Sequence, residues 1–173
     1  MDLNKLTIGK NAPEEFNVII EILKHGNPVK YEIDKDSGVL IIDRLVATSM
    51  TYPCDYGFIP NTLGEDGDPL DALVLCPMAV VPGCQIMVRP IGVLKMTDEG
   101  GGDEKILCVP VNKVTPYYKN INSYEDLPEL LVNQIIHFFK TYKDLETGKW
   151  VKVEGFDGVE AAKAIVKKSI LAK

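Results

Sequence analysis

The chain has 173 residues, 46% of them hydrophobic and 25% charged, enough to build and clothe one core, so a single domain over residues 1–173 is expected. Its 19 Lys and Arg against 25 Asp and Glu leave a net charge of −6, which speaks against a nucleic-acid partner, because binding a phosphate backbone needs a basic face. No apolar run reaches the roughly 18 residues that span a bilayer, and the opening MDLNKLTIGK lacks the apolar region of a signal peptide, so a cytoplasmic protein with no membrane partner is expected.

The first two thirds of the chain read as strands. FNVIIEIL (16–23), VKYEID (29–34), GVLIIDRL (38–45), ALVLCPMAV (72–80), QIMVRPIGVLKM (85–96) and KILCVPV (105–111) are rich in apolar or β-branched residues and are separated by Gly, Pro, Asn or Asp. DKDSG (34–38) has the composition of a hairpin turn. The character then changes near residue 120. A helix is predicted from DLPELL, with Asp126 and Glu129 as a capping box, and its stripe Leu131, Ile135, Phe138 and Tyr142 recurs at spacings of four, three and four. After a turn at Gly148 and a strand WVKVEGF (150–156), a second capping box, Asp157 with Glu160, opens a terminal helix over 159–173. Strands followed by helices imply an α+β fold, a small antiparallel barrel with helices packed on it. The four cysteines show no CxxC spacing and are expected to be buried free thiols, and His25 and His137 are read as structural.

The chemistry concentrates in EDGDPLDALVL (65–75), which sets three aspartates within six positions against an apolar strand. Asp66 and Asp68 share a face of extended chain, and Asp71 joins them only if the chain bends, which Gly67 and Pro69 permit. Three carboxylates gathered at about 6 Å repel by roughly 2–3 kcal/mol per pair at an effective dielectric near 20, so such a cluster calls for a cation. An ordinary solvated turn is the competing reading for DGD. The EF-hand pattern does not fit, because Leu70 and Asp71 fall where a ligand and an obligatory glycine belong. Oxygen donors without His or Cys suit a hard cation such as Mg²⁺ or Mn²⁺.

A second acidic stretch, TDEGGGDEK (97–105), joins two apolar strands; by itself it reads as a flexible hairpin tip, and its weight comes from pairing with the first cluster, since its glycines would let Asp98 and Asp103 fold towards one point. Lys30, Arg44 and Lys105 each alone read as surface charges and Tyr142 alone as core, but together with Lys143 and Tyr56 they supply donors suited to phosphate oxygens. Lys143 is predicted to leave the core face at the helix end. Acids for metal and bases for phosphate make a phosphoryl-transfer composition.

Taken together, KYEID (30–34), DR (43–44), YPCDYGFIP (52–60), DGDPLDALVL (66–75), GVLKMTDEGGGDEK (92–105) and HFFKTYKDLETGKWVKVEG (137–155) resemble the family I soluble inorganic pyrophosphatases of bacterial type over essentially the whole chain. The resemblance implies a five-stranded OB-like barrel with two flanking helices, hydrolysis of diphosphate to two orthophosphates, Mg²⁺ as cofactor with Mn²⁺ able to substitute, and a homohexamer. It further implies Asp66, Asp71, Asp98 and Asp103 as metal ligands, Asp68 as general base, Lys30, Arg44, Tyr56, Lys105, Tyr142 and Lys143 as phosphate contacts, and Glu21 and Glu32 as supporting acids. One departure is Leu23, where the family often has proline. A non-catalytic Ca²⁺-binding module would use the same aspartates without needing the Lys, Arg and Tyr set. A single-strand nucleic-acid binder would need a basic groove with stacking aromatics.

Overall fold

The structure, a computed structural model, describes residues 2–171. In chain order the elements are β1 (Phe16–Ile22), β2 (Val29–Ile33), β3 (Leu40–Leu45), β4 (Asp55–Phe58), β5 (Asp71–Val74), β6 (Gln85–Asp98), β7 (Gly101–Gly102), β8 (Lys105–Pro110), α1 (Glu129–Thr141), β9 (Val151–Asp157) and α2 (Val159–Ser169). Five strands close a ring, β1–β4–β5–β8–β6 and back to β1. Every pairing in the ring is antiparallel except β5 with β8, which is parallel. This is the α+β, OB-like arrangement expected. β9 extends the sheet along β6, and β2 with β3 forms a separate two-stranded hairpin through the expected turn, where Asp34 accepts the Ser37 N–H at 2.7 Å.

Both faces of the curved sheet are covered, which is why ALVL and KILCVPV read as unbroken apolar runs rather than alternating ones. Ala72, Val74, Ile106 and Cys108 pack in a core that includes Ala162 and Val166 of α2. Leu73, Leu107 and Val109, on the opposite face, pack with Ile135, Phe138 and Phe139 of α1. Burying each of those three α1 side chains is worth about 1.5–3 kcal/mol, so packing rather than intrinsic propensity holds the helix in place.

Several local expectations are corrected. β4 carries DYGF, whose Asp and Gly disfavour strand, and it forms because closure of the barrel demands it. Gly57 sits so close to β1 that a Cβ there would lie 1.9 Å from the Ile19 carbonyl oxygen. The strand expected over 72–80 ends at Val74. Asp126 caps a short 3₁₀ turn over 124–126 in a box with Ser123, and α1 starts only after Pro128, since the residue before proline avoids helical geometry and Leu127 is extended. Asp157 still belongs to β9, so α2 starts from Gly158 without a side-chain cap. That helix stops at Ser169, and the last two residues of the predicted span lie outside the described residues. The four cysteines are free, but Cys76 is half-buried and Cys84 exposed, the latter beside the Gly83 turn that precedes β6.

Gly57→Ala should therefore destabilise the barrel by about 2 kcal/mol or more in a denaturant titration, because the obstructing atoms are backbone and cannot swing aside. A change below half that figure would mean that β1 and β4 can separate to admit a methyl group.

Candidate active site

Two acidic segments, 59–70 and 98–104, each feed one strand of the parallel pair β5 and β8. Parallel strands start at the same end of a sheet, and the register sets Asp71 beside Lys105. Stretches about thirty residues apart in sequence thus open into one cavity of about 370 Å³. Eight carboxylates and six cationic side chains line it, including all thirteen residues singled out from the sequence.

At its centre is Lys105, only 2% exposed. Its Nζ donates to Asp71 Oδ2 at 2.6 Å and Asp103 Oδ1 at 2.8 Å, and it lies 5.4 Å from the Tyr56 ring centroid and 5.6 Å from that of Phe139. Burial works against the ammonium charge, but the two carboxylates outweigh it and hold the Lys105 pKa above its ordinary value. For Asp103 the balance tips the other way: burial pushes its carboxyl up more than Lys105 draws it down.

Asp98 stands at the end of β6 in the tight β6–β7 hairpin. Lys143 Nζ donates to Asp98 at 2.6 Å and to Glu99 at 3.3 Å. Burial raises the Asp98 carboxyl, yet the bonds from Lys143 and the Gly100 N–H outweigh it and leave its pKa lowered. Lys143 does not leave the core as expected: it is 6% exposed, because the chain turns inward after α1 and carries the ammonium to the acidic hairpin. Tyr142, at the C-cap of α1, belongs both to the core, stacked on Phe138 with centroids 5.3 Å apart, and to the cavity lining.

The hairpin of β2 and β3 forms the facing wall. Lys30 and Arg44 are register partners on it. Lys30 hydrogen-bonds Glu32 and lies 3.4 Å from Asp43, and Arg44 pairs with Asp43 at 2.7 Å and Glu146 at 3.4 Å. Buried Glu21 ties this hairpin to the barrel by accepting the Ile33 N–H at 2.7 Å, and burial pushes its carboxyl up to about 7.

Asp66 and Asp68 are on the exposed acidic loop, where Asp66 Oδ1 accepts the Asp68 N–H at 3.0 Å and Gly67 turns with φ 89°. Asp68 is held by Lys35, a cavity residue that sequence reasoning passed over because it sits in the turn DKDSG with nothing to mark it. Tyr52, Glu99 and Lys149 were missed likewise.

The donor set fits a hard divalent cation, since Asp66, Asp71, Asp98 and Asp103 bring only carboxylate oxygens to one cavity. Among the described residues no three His, Cys, Asp or Glu side chains form a ready-made cage, and Asp71 and Asp103 are instead joined through the Lys105 ammonium.

Two stability effects follow. A carboxyl whose pKa rises on folding favours the fold while protonated, so the Glu21 contribution is present below about pH 4.5 and is lost as pH rises through about 7. Denaturation in EDTA should find Glu21→Gln gaining on wild type by up to about 3 kcal/mol between pH 4.5 and 8, and parallel pH profiles would count against a strained Glu21. Lys105→Met should lose about 3 kcal/mol in EDTA by leaving Asp71 and Asp103 without a counter-charge, and unchanged stability would mean that solvent already balances them.

Comparison with known proteins covers nearly the whole chain. The profile of the family described as inorganic pyrophosphatase matches residues 18–172. An inorganic pyrophosphatase of Gluconobacter oxydans is 57% identical over 174 residues, covering 100% of both chains, and one of Pseudomonas aeruginosa is 54% identical, covering 99% of this chain and 98% of its own. Among solved structures, that of the inorganic phosphatase from Anaplasma phagocytophilum superposes with a TM-score of 0.95 at 50% identity, covering 96% of this chain and 97% of the other. The inorganic pyrophosphatase of Thermus thermophilus gives 0.91 at 44% identity, covering 98% and 97%. With the profile matched over nearly the whole chain and full-length relatives above half identity, the chain belongs to the inorganic pyrophosphatase family.

Proposed function

We propose that the chain hydrolyses inorganic diphosphate to two orthophosphates within this cavity, as the names of its relatives indicate for them. The observation that carries the reading is the joint lining of one cavity of about 370 Å³ by Asp66, Asp71, Asp98 and Asp103 and by Lys105, Lys143 and, on the hairpin wall, Lys30 and Arg44. Lys30, Arg44, Lys105, Lys143 and the Tyr56 and Tyr142 hydroxyls bind the phosphate oxygens, Arg44 as a planar fork and the lysines as point charges, so positive charge lies where negative charge develops on the departing phosphate. Asp68, at the cavity mouth, accepts a proton from the attacking water; the water oxygen bonds one phosphorus as the bridging P–O bond breaks, and the departing phosphate carries the bridging oxygen away. Glu21 and Glu32 orient this wall, Glu21 through the Ile33 N–H and Glu32 through Lys30.

Divalent-metal dependence belongs to the family I enzymes, and we assign the ion as Mg²⁺, with Mn²⁺ able to substitute, held by Asp66, Asp71, Asp98 and Asp103. When bound, it supplies Lewis-acid neutralisation of phosphate charge and acidifies water. A non-catalytic Ca²⁺-binding module is not favoured, since it leaves the cationic wall without a purpose. A single domain over residues 1–173, a cytoplasmic setting and a homohexameric assembly complete the proposal. Among the described residues no helix is long and apolar enough to cross a membrane.

Phosphate release from diphosphate should be rapid with Mg²⁺ and negligible in EDTA, whereas well-folded protein that titrates Mg²⁺ without turnover would contradict hydrolysis. Asp68→Asn should keep Mg²⁺ binding and lose about 10²–10⁴ in kcat, and near-normal turnover would remove Asp68 from its role. Arg44→Lys should cut kcat/KM at least tenfold because the fork is lost, while an unchanged value would show that a point charge suffices there.

A further inference from the structure

The loop that presents Asp66 and Asp68 and runs into Asp71 is twelve residues long, 59–70, joining β4 to β5, and loops of that length wander unless they are tied down. Two ties are visible at its base. The Ile59 N–H donates to the Leu70 carbonyl at 2.8 Å, and the Thr62 hydroxyl, buried at 2% exposure, donates to the Ile59 carbonyl at 2.6 Å while accepting the Leu70 N–H at 2.9 Å. One side chain thus spans both limbs and ends on the residue immediately before Asp71.

The outgoing limb is tied a second time from the far end of the chain. After α2, Ile170 bridges Thr62 in antiparallel fashion, the Leu63 N–H donates to Ser169 O at 2.8 Å, and the Leu171 N–H donates to Asn61 O at 3.0 Å. Asn61 has φ 58°, in the left-handed region that asparagine tolerates better than other non-glycine residues. Its side-chain Nδ2 is anchored in turn to Leu6 O at 3.0 Å.

We propose that Thr62 is a positioning residue for the active site: its hydroxyl, backed by the C-terminal segment 169–171, sets the angle at which the acidic loop delivers Asp66, Asp68 and Asp71 to the cavity. The inference rests on the proposed hydrolysis for its consequence in catalysis and on the proposed metal assignment, which is tested separately, for its consequence in metal affinity. Thr62→Val keeps the volume, removes the hydroxyl and leaves the buried Leu70 N–H without its partner. Thr62→Ser restores the hydroxyl with one methyl fewer.

The test is isothermal titration of the folded proteins with Mg²⁺, alongside kcat and KM at saturating Mg²⁺ and amide exchange at Leu70 in EDTA. Thr62→Val should weaken Mg²⁺ affinity tenfold or more, lower kcat with less effect on KM and speed exchange at Leu70, and Thr62→Ser should recover most of each. A Thr62→Val protein that melts earlier but keeps its Mg²⁺ affinity and kcat would overturn the proposal and leave Thr62 a purely structural residue. If wild type binds Mg²⁺ without turnover, the functional reading fails, yet the ratio of Mg²⁺ affinities still decides for or against Thr62. Should Thr62→Val not fold, Leu171→Pro removes the N–H that holds Asn61 and must weaken Mg²⁺ affinity in the same direction; unchanged affinity there overturns the proposal.

Discussion

A lysine ammonium buried between two aspartates is the interaction on which this molecule turns. Lys105 is nearly inaccessible, and an uncompensated charge at such depth costs about 3–5 kcal/mol, so Asp71 and Asp103 are as necessary to it as it is to them. The arrangement exists because β5 and β8 run parallel in a ring whose other pairings are antiparallel. Residues 71 and 105 therefore stand side by side at the same end, with Asp103 two residues ahead of Lys105. Aromatic rings of Tyr56 and Phe139 lie beside it, with centroids 5.4 and 5.6 Å from the ammonium.

The same logic is repeated around the cavity. Lys143 answers Asp98 and Glu99, Lys35 answers Asp68, and Lys30 and Arg44 share Asp43. A chain of net charge −6 can therefore gather eight carboxylates in one place, because its cations are concentrated there too. The proposed chemistry draws on both halves of these pairs, since the acids suit a hard metal ion and the bases suit phosphate oxygens. Acids and bases are interleaved on the same elements, Lys105 between Asp71 and Asp103 on the barrel and Lys30 and Arg44 beside Glu32 and Asp43 on a hairpin joined to the barrel partly through Glu21.

Much of this was legible in the sequence because charged residues set directly against apolar strands leave few places to go. Asp71 before ALVL and Lys105 before ILCV had to lie at the start of buried strands, and the glycines of 100–102 had to turn the chain between Asp98 and Asp103. What could not be read was set by pairing at a distance. The parallel register that joins residues 71 and 105 has no local signature. DYGF became a strand although its composition opposes it, because only a glycine lets β4 approach β1 so closely. Local rules also competed: Asp126 found a cap three residues earlier than expected because Pro128 forbade helical geometry at Leu127. Lys35 and Lys149 carry no pattern that separates them from solvated lysines, and only the folded cavity reveals them.

The central claim is that Asp71 and Asp103, which converge on Lys105, join the other cavity aspartates in a divalent-metal site for diphosphate hydrolysis. Anomalous diffraction from crystals soaked in Mn²⁺ tests it most directly. The account predicts an ion within bonding distance of carboxylate oxygens of Asp66, Asp71 or Asp103 in the cavity. Crystals soaked in excess Mn²⁺ with no anomalous peak at those carboxylates would contradict it.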